Sequence, residues 1–249
     1  MNKINFRFLN GNMLKIIGAI FMVVDHVGVL FFPGESIFRI LGRIAYPIFA
    51  FMIAEGARYT RNKLRYLLTI GGLALICQLA YFIFANDLYM CILVTFTLSI
   101  ITIYAVQYLK KAIFSTESRS FQTLIPPIFL TIFTIFTVYY LNQVLVIDYG
   151  FVGCMVPVIV SLFDFKDINL PEKYKWLDSH YIKVGALAMA LLWLAYSLNS
   201  MQLYMLMAIP ILLLYSEQRG SSKLKYFFYI FYPVHLVVLE GIYILMMYL

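Results

Sequence analysis

The first candidates for chemistry in this sequence are charged side chains inside an apolar segment. Residues 13–32 are apolar enough to span a lipid bilayer, yet they include Lys15, Asp25 and His26. A charged side chain at the centre of a bilayer costs about 2.5–3.5 kcal/mol on insertion scales. Such residues need polar partners from other helices or from water, and by default they indicate a functional site.

His26 is the candidate general base, because imidazole is the side chain best able to take a proton near neutral pH. It lies eleven positions after Lys15. In a helix this spacing is about 20° past three full turns, which puts both side chains on one face, roughly 16 Å apart. His26 can instead carry an acyl group transiently, and the spacing does not decide between these roles. A histidine that only hydrogen-bonds a neighbouring helix is the third interpretation.

Asp25 is predicted to meet a cation on another helix, because adjacent helical residues do not face each other. Arg39 and Arg43 are four residues apart, so they share one face of any helix that contains them. Arg43 is the expected partner of Asp25, and the pair would hold the charges of the site in register or stabilise an oxyanion. An ion pair with no chemical role is the alternative for each of these residues.

Glu55 lies at the opposite end of the second apolar segment, at the depth expected for Lys15. Its predicted partners are Lys15 or Arg58, which follows three residues later. Arg58 and Arg61 are either ordinary cations of a cytoplasmic loop or the docking point of a phosphate-rich ligand. We therefore expect Lys15, Arg58, Arg61 and Glu55 to form the binding region of an anionic donor.

Two further candidates lie in the second half of the chain. His235 and Glu240 belong to the last apolar segment, and five positions place them about 140° apart on a helix, so they do not face one partner together. His235 is predicted to be structural rather than catalytic. Asp148 precedes Gly150 at the outer end of a segment, where it lines an entrance for an acceptor or caps a helix.

Apolar helices must position these residues. The chain has 249 residues, of which 63% are hydrophobic and 12% charged, whereas a soluble domain has about 25% charged residues. Lipid-spanning segments of such a chain are helices. The sequence predicts an all-α, polytopic transmembrane bundle, a single domain over residues 1–249, with about nine spans within a range of eight to ten. The predicted spans are 13–32, 37–56, 66–85, 88–109, 122–141, 150–163, 182–199, 201–215 and 226–248; the sixth and eighth are short.

Sixteen of the nineteen Lys and Arg residues fall on one side of a nine-span arrangement. Positive residues stay cytoplasmic, which predicts a cytoplasmic N-terminus, an extracytoplasmic C-terminus and insertion in the plasma membrane. Lys15, Arg39 and Arg43 are the exceptions. The sixteen are Lys3, Arg7, Arg58, Arg61, Lys63, Arg65, Lys110, Lys111, Arg119, Lys166, Lys173, Lys175, Lys183, Arg219, Lys223 and Lys225.

Several function classes lack support in the sequence. The net charge of +7 is accounted for by these loop cations, so no nucleic-acid partner is predicted. There is no Walker loop, dinucleotide fingerprint, zinc-ligand spacing or serine elbow. The three cysteines lie inside apolar runs, where they are expected to pack rather than bind metal.

The run LKIIGAIFMVVDHVGVLFFP, followed by FRILGRIAYPIFAFMIAEGARYTRN, resembles the N-terminal half of the TraX family, which is named for conjugative pilin N-acetylation. The resemblance is best over residues 13–85. TraX proteins are similar to a superfamily of integral-membrane acyltransferases whose first span contains an Arg, ten residues and a His. Lys15 and His26 keep that spacing with Lys in place of Arg, and FYIFYPVHLVVL resembles the final-helix pattern of the superfamily.

The resemblance implies acyl-CoA, and acetyl-CoA first, as a donor on the cytoplasmic side. It implies an acceptor on the other side, whether a protein N-terminus, a glycan or a small molecule, with membrane lipid around the protein. The leading hypothesis is thus a membrane O- or N-acyltransferase. The competing hypothesis is a non-enzymatic transporter or assembly factor in which buried Asp, His, Lys and Glu relay protons or substrate. Transporter folds usually have repeated halves, and the sequence shows no such repeat.

Overall fold

The computed structural model describes residues 6–85, 89–114, 121–221 and 224–248, so Lys3, Arg119 and Lys223 lie outside the described residues. The described chain is almost entirely helical, as expected for apolar segments whose backbone groups must be satisfied internally. The described residues form ten α-helices: α1 Gly11–Phe31, α2 Ser36–Gly42, α3 Ala45–Tyr59, α4 Lys63–Ala85, α5 Ile92–Phe114, α6 Phe121–Val144, α7 Gly150–Ser161, α8 His180–Ser197, α9 Ala208–Leu213 and α10 Lys225–Met247. Two 3₁₀ helices cover Glu172–Asp178 and Ser200–Met207.

Each predicted span overlaps one of these helices, which confirms the all-α membrane class. Six helical stretches of the described chain are long and apolar enough to cross a membrane. They are Gly11–Phe31, Ser36–Tyr59, Lys63–Ile83, Ile92–Phe114, Phe121–Val144 and Phe227–Met247. The shorter apolar helices, Gly150–Ser161 and Ser200–Leu213, correspond to the sixth and eighth predicted spans, whose short length the sequence had indicated.

The chain forms two compact units. The first comprises Met1–Met52 and Asn199–Leu249, and the second comprises Ile53–Leu198. Helix α3 contributes residues to both units. The single domain expected for residues 1–249 stays a prediction.

The first unit joins the beginning of the chain to its last third. The side chain of Asn10 caps α1 by accepting hydrogen bonds from the backbone N–H groups of Asn12 and Met13, both 3.0 Å long. Helix α1 packs against α2 and α10. Gly42 permits the close approach of α2 to α1, since a Cβ there would lie 2.1 Å from Oδ1 of Asp25.

Helix α10 runs in the same direction as α1. Lys15 near the start of α1 contacts Phe228, His26 contacts His235, and Phe31 at the end of α1 contacts Tyr243. The residue numbers on α1 and on α10 both increase from one of these contacts to the next, which is the pattern of parallel helices. The same face of α1 therefore presents Lys15 and His26 to α10, as their spacing predicted.

The second unit is built around α4 to α8. Helix α5 packs against α4, α6 and α7, and α7 packs against α8. Ser99 on α5 donates to the carbonyl of Cys154 on α7, at 2.8 Å, so a polar group buried between these helices is satisfied. The polar segment between α7 and α8 contains the 3₁₀ helix Glu172–Asp178, which directly follows Pro171.

Candidate functional site

Asp25 binds two arginines from the next helical stretch. Nη1 of Arg39 donates to Oδ2 of Asp25 at 2.7 Å, and Nη2 of Arg43 donates to Oδ1 at 3.1 Å. The side chain of Arg43 is 8% exposed, and that of Arg39 is 35% exposed. The predicted pair of Asp25 with Arg43 is present, and Arg39 is the second cation on the same carboxylate.

This cluster carries a surplus of positive charge. One carboxylate faces two guanidinium groups, so its formal charge is +1. Arg43 also donates from Nη1 to Oε1 of Gln202 at 3.5 Å and from Nε to the carbonyl of Arg39 at 3.3 Å. Fixed, partly buried donors of this kind can stabilise an anion that develops during a reaction. The sequence did not predict Gln202 as a site residue. The only indication was a polar amide side chain inside the eighth apolar segment.

His26 and His235 meet inside the first unit. Their ring centroids are 5.1 Å apart and the ring planes are inclined at 82°. Nδ1 of His26 lies 2.7 Å from the carbonyl oxygen of Met22, and Nδ1 of His235 lies 3.0 Å from that of Phe231. Because a carbonyl oxygen only accepts, each Nδ1 carries the proton, and in the neutral ring Nε2 is the basic nitrogen.

The environment of His235 is the more enclosed of the two. The residue is 6% exposed, its ring stacks on Phe231 with centroids 5.1 Å apart, and its Nε2 has no hydrogen-bond partner within the described chain. A buried nitrogen without a partner carries a desolvation cost of about 1–3 kcal/mol. The sequence predicted His235 as structural and did not predict its contact with His26.

Lys15 is the charged side chain nearest the start of α1. It is partly buried, and its ammonium lies 5.6 Å from the ring centroid of Phe228 on α10. The face of an aromatic ring attracts a cation at this distance. Its place on the α10-facing side of α1 agrees with the donor-binding role predicted for it, which stays a prediction.

Glu55 forms its buried ion pair with Lys183. Oε1 of Glu55 and Nζ of Lys183 are 3.1 Å apart, and the two side chains are 3% and 1% exposed. The sequence instead predicted Lys15 or Arg58 as the partner of Glu55, and it predicted Lys183 to be a cation of a cytoplasmic loop. Helix α8 begins at His180, so Lys183 lies in its first turn and its side chain is directed into the second unit.

Arg58 is engaged by carboxylates rather than open to a ligand. Its two Nη atoms donate to the two oxygens of Asp178 at 2.7 and 3.2 Å, and Asp164 lies 3.3 Å away. The bidentate contact fixes the guanidinium group. Arg61, by contrast, is exposed. These two aspartates occupy most of the N–H groups of Arg58, which argues against the expected role of Arg58 in binding an anionic ligand.

Asp148 accepts a hydrogen bond from the hydroxyl of Tyr89 at 2.7 Å, and its carbonyl accepts one from Thr95 at 2.7 Å. Burial, and next the neighbouring carboxylate, raise the pKa of Tyr89, so the phenol stays protonated. The residue at the N-terminus of α7 is Tyr149, in the left-handed conformation with φ 59°, and no side chain caps this helix. Asp148 thus stabilises the loop through Tyr89 and does not act as the cap.

The described ranges contain no group of three His, Cys, Asp or Glu side chains that could hold a metal ion. The candidate groups of the first unit are the two Nε2 atoms of the histidine pair, the cluster of Asp25 with Arg39 and Arg43, and the Lys15 ammonium. Glu240, which shares α10 with His235, is exposed.

Comparison with known proteins agrees with the resemblance seen in the first apolar segments. A curated relative, the uncharacterized protein RP591 of Rickettsia prowazekii (strain Madrid E), is 42% identical over 50 residues. That match covers 20% of this chain and 18% of the relative, so the chain matches less than a fifth of that protein. No solved structure matches the chain significantly. The family described as TraX protein matches residues 10–243, nearly the whole chain, and the chain therefore belongs to the TraX family.

Proposed function

We propose that this protein is a membrane acetyltransferase that moves an acetyl group from acetyl-CoA to an amine or hydroxyl. The observation that carries the proposal is the histidine pair, in which hydrogen bonds from Nδ1 to carbonyl oxygens leave Nε2 of His26 basic beside His235. The family, named for pilin acetylation, supports the same reaction class.

His26 acts as the general base in this mechanism. Its Nε2 takes the proton of the acceptor amine or hydroxyl as the acceptor attacks the thioester carbonyl. The tetrahedral oxyanion then collapses, the bond from carbon to sulfur breaks, and CoA leaves as a thiolate that is protonated in turn. The surplus positive charge of Arg39 and Arg43 on Asp25 favours the oxyanion. Transfer through an acetyl-imidazole at His26 would use the same nitrogen as nucleophile.

Lys15 binds the anionic part of the donor. About three helical turns separate it from His26, so the phosphates and the reacting carbonyl occupy different levels of the same helix face. Lys15→Arg, which keeps the charge, should retain donor use, whereas Lys15→Met should raise the KM for acetyl-CoA with kcat much less affected. An unchanged KM in folded Lys15→Met protein would remove Lys15 from the donor site.

The reaction is tested with protein reconstituted in vesicles together with membrane extract, which supplies the acceptor. With isotopically labelled acetyl-CoA, we expect CoA thiol to be released and label to enter a non-CoA fraction. His26→Gln keeps a hydrogen-bonding group but cannot take a proton at neutral pH, so it should lose both signals. Equal signals from wild-type protein and empty vesicles would refute the proposal.

A transporter or assembly factor is the second candidate, and the ion pair of Glu55 with Lys183 favours it. Ionisable pairs buried among membrane helices are also the components of proton relays, and the two side chains are 3% and 1% exposed. Vesicles that take up protons through wild-type protein, but not through Glu55→Gln protein, and that release no CoA would support this candidate over acetyl transfer.

A further inference from the structure

A basic cleft lies in the second unit, near the ends of α3 and α5. Five cations line it: Arg58, Lys63, Lys110, Lys111 and Lys166. Two carboxylates, Asp164 and Asp167, line it as well. The lining therefore carries a formal charge of +3, or +2 once Asp178 is counted with its partner Arg58. This set of seven residues is called the basic cleft below.

Several of these cations are not neutralised within the described chain. Lys63 donates to the neutral amide of Gln107 at 2.8 Å, and the ammonium of Lys166 lies 4.5 Å from the ring centroid of Tyr59. Arg58 is the exception, because Asp178 and Asp164 already pair with its guanidinium group. Lys111 forms only a solvent-exposed pair with Asp167 at 3.5 Å, and such pairs are weak. The cleft therefore favours an anion.

An apolar groove with a volume of about 460 Å³ lies beside the cleft among α5, α6, α7 and α8. Side chains such as Val106, Ile135 and Met155 line it. Leu162 and Trp193, also in the lining, are 43% and 41% exposed, so the groove opens onto the apolar outer surface of the unit. A groove of this kind accepts a hydrocarbon chain from the side.

Lys110 lines both the groove and the cleft. The residue is 7% exposed, and its ammonium donates to the carbonyls of Ser161, Leu162 and Asp164 and lies 3.9 Å from the ring centroid of Phe165. Long basic side chains commonly bury their stem along apolar surface and keep the charge in a polar region. Lys110 therefore marks the boundary between a site for hydrocarbon and a site for an anion.

We propose that the second unit binds an anionic phospholipid of the membrane, with an acyl chain in the apolar groove and the phosphate in the basic cleft. The positive charge of the basic cleft favours an anionic head group. The opening of the apolar groove at the outer surface of the unit favours a ligand that arrives through the bilayer. Each basic side chain near an anionic lipid surface contributes about 1 kcal/mol. This site is independent of the acetyl transfer proposed above, because it contains neither the histidine pair, nor the cluster of Asp25 with Arg39 and Arg43, nor Lys15.

Trp193 provides the measurement, because it lines the groove and the chain has only one other tryptophan, Trp176. Trp176→Phe protein is reconstituted in phosphatidylcholine vesicles that contain phosphatidylglycerol with brominated acyl chains, which quench tryptophan fluorescence. We expect stronger quenching than with brominated phosphatidylcholine at the same mole fraction. In Lys111→Gln/Lys166→Gln protein, the relative binding constant should fall about fivefold for each lysine removed, or roughly 30-fold for the two together. Both lysines are exposed, so the fold should persist.

Lys173→Gln/Lys175→Gln is the matched control, because it removes two exposed lysines of the same unit that do not line the cleft. It should retain the preference for phosphatidylglycerol. Equal quenching by the two brominated lipids, or equal loss in the cleft and control variants, would overturn the proposal. Palmitoyl-CoA has the same combination of chain and phosphates. If it relieves quenching at lower concentration than unbrominated phosphatidylglycerol, the ligand is a soluble acyl donor and the assignment to a bilayer lipid is wrong.

Discussion

The ring of His26 on the first helix meets the ring of His235 on the last helix, edge to face, with centroids 5.1 Å apart. The two imidazoles have the same tautomer, because each Nδ1 faces the carbonyl oxygen four residues earlier on its own helix. A proton that reaches one Nε2 is therefore close to a second basic ring. This relationship joins the two ends of the sequence in one candidate site.

A double-mutant cycle on this pair tests whether the histidines act together. A general base contributes about 10²–10⁴-fold to rate, so His26→Gln should lose at least that much turnover, and His235→Gln should lose less. If the two rings act as a unit, the double variant should be no slower than His26→Gln alone. CoA release with each folded variant provides the rates. His26→Gln protein with near wild-type turnover would leave His26 as a structural residue and make His235 the remaining candidate base.

The two arginines on Asp25 should differ in their effect on stability. Either single substitution leaves Asp25 paired with the other arginine, so the difference comes from burial: a buried contact is worth more than an exposed pair, which contributes about 0–1 kcal/mol. Arg43→Gln, at 8% exposure, should therefore lower the unfolding temperature in detergent much more than Arg39→Gln, at 35%. Equal shifts for the two variants would show that burial does not distinguish these contacts.

The pair of Glu55 with Lys183 gives a third prediction. Lys183→Met removes the ammonium that faces the buried Glu55 carboxylate, which should cost about 3–5 kcal/mol. Adding Glu55→Gln removes the buried negative charge, so the double variant should recover most of the lost unfolding temperature. Lys175→Met serves as the matched control, since its pair with Glu172 is solvent-exposed and should change stability little. A double variant no more stable than Lys183→Met would contradict the buried-pair interpretation.

The contacts that the sequence predicted are local in the chain. Asp25 and Arg43 are 18 residues apart: Asp25 lies on α1, and Arg43 directly follows α2, which is the next helix. An apolar segment, a short turn and a second segment are enough to bring them to the same depth. The shared face of Lys15 and His26 follows from helical geometry alone.

The contacts that the sequence did not predict depend on which distant helices pack together. Glu55 and Lys183 are 128 residues apart, and a lysine at the beginning of a span has the same pattern as a loop cation. Lys110 was counted among loop cations for the same reason, although three carbonyls surround its ammonium. Hydropathy locates helices in the chain, but it does not specify which helices become neighbours.

The parallel packing of α1 and α10 predicts that the two termini lie on opposite faces of the membrane. If both helices cross, the end of α10 emerges opposite the beginning of α1, and the distribution of Lys and Arg predicts a cytoplasmic N-terminus. In a variant whose three native cysteines are replaced, a cysteine at the exposed position Phe8 or Tyr248 is labelled with an impermeant thiol reagent on intact cells. We expect labelling of Tyr248→Cys alone, and labelling of Phe8→Cys only after permeabilisation. Reaction of Phe8→Cys alone would reverse the orientation, whereas equal reaction of both positions would contradict an odd number of spans.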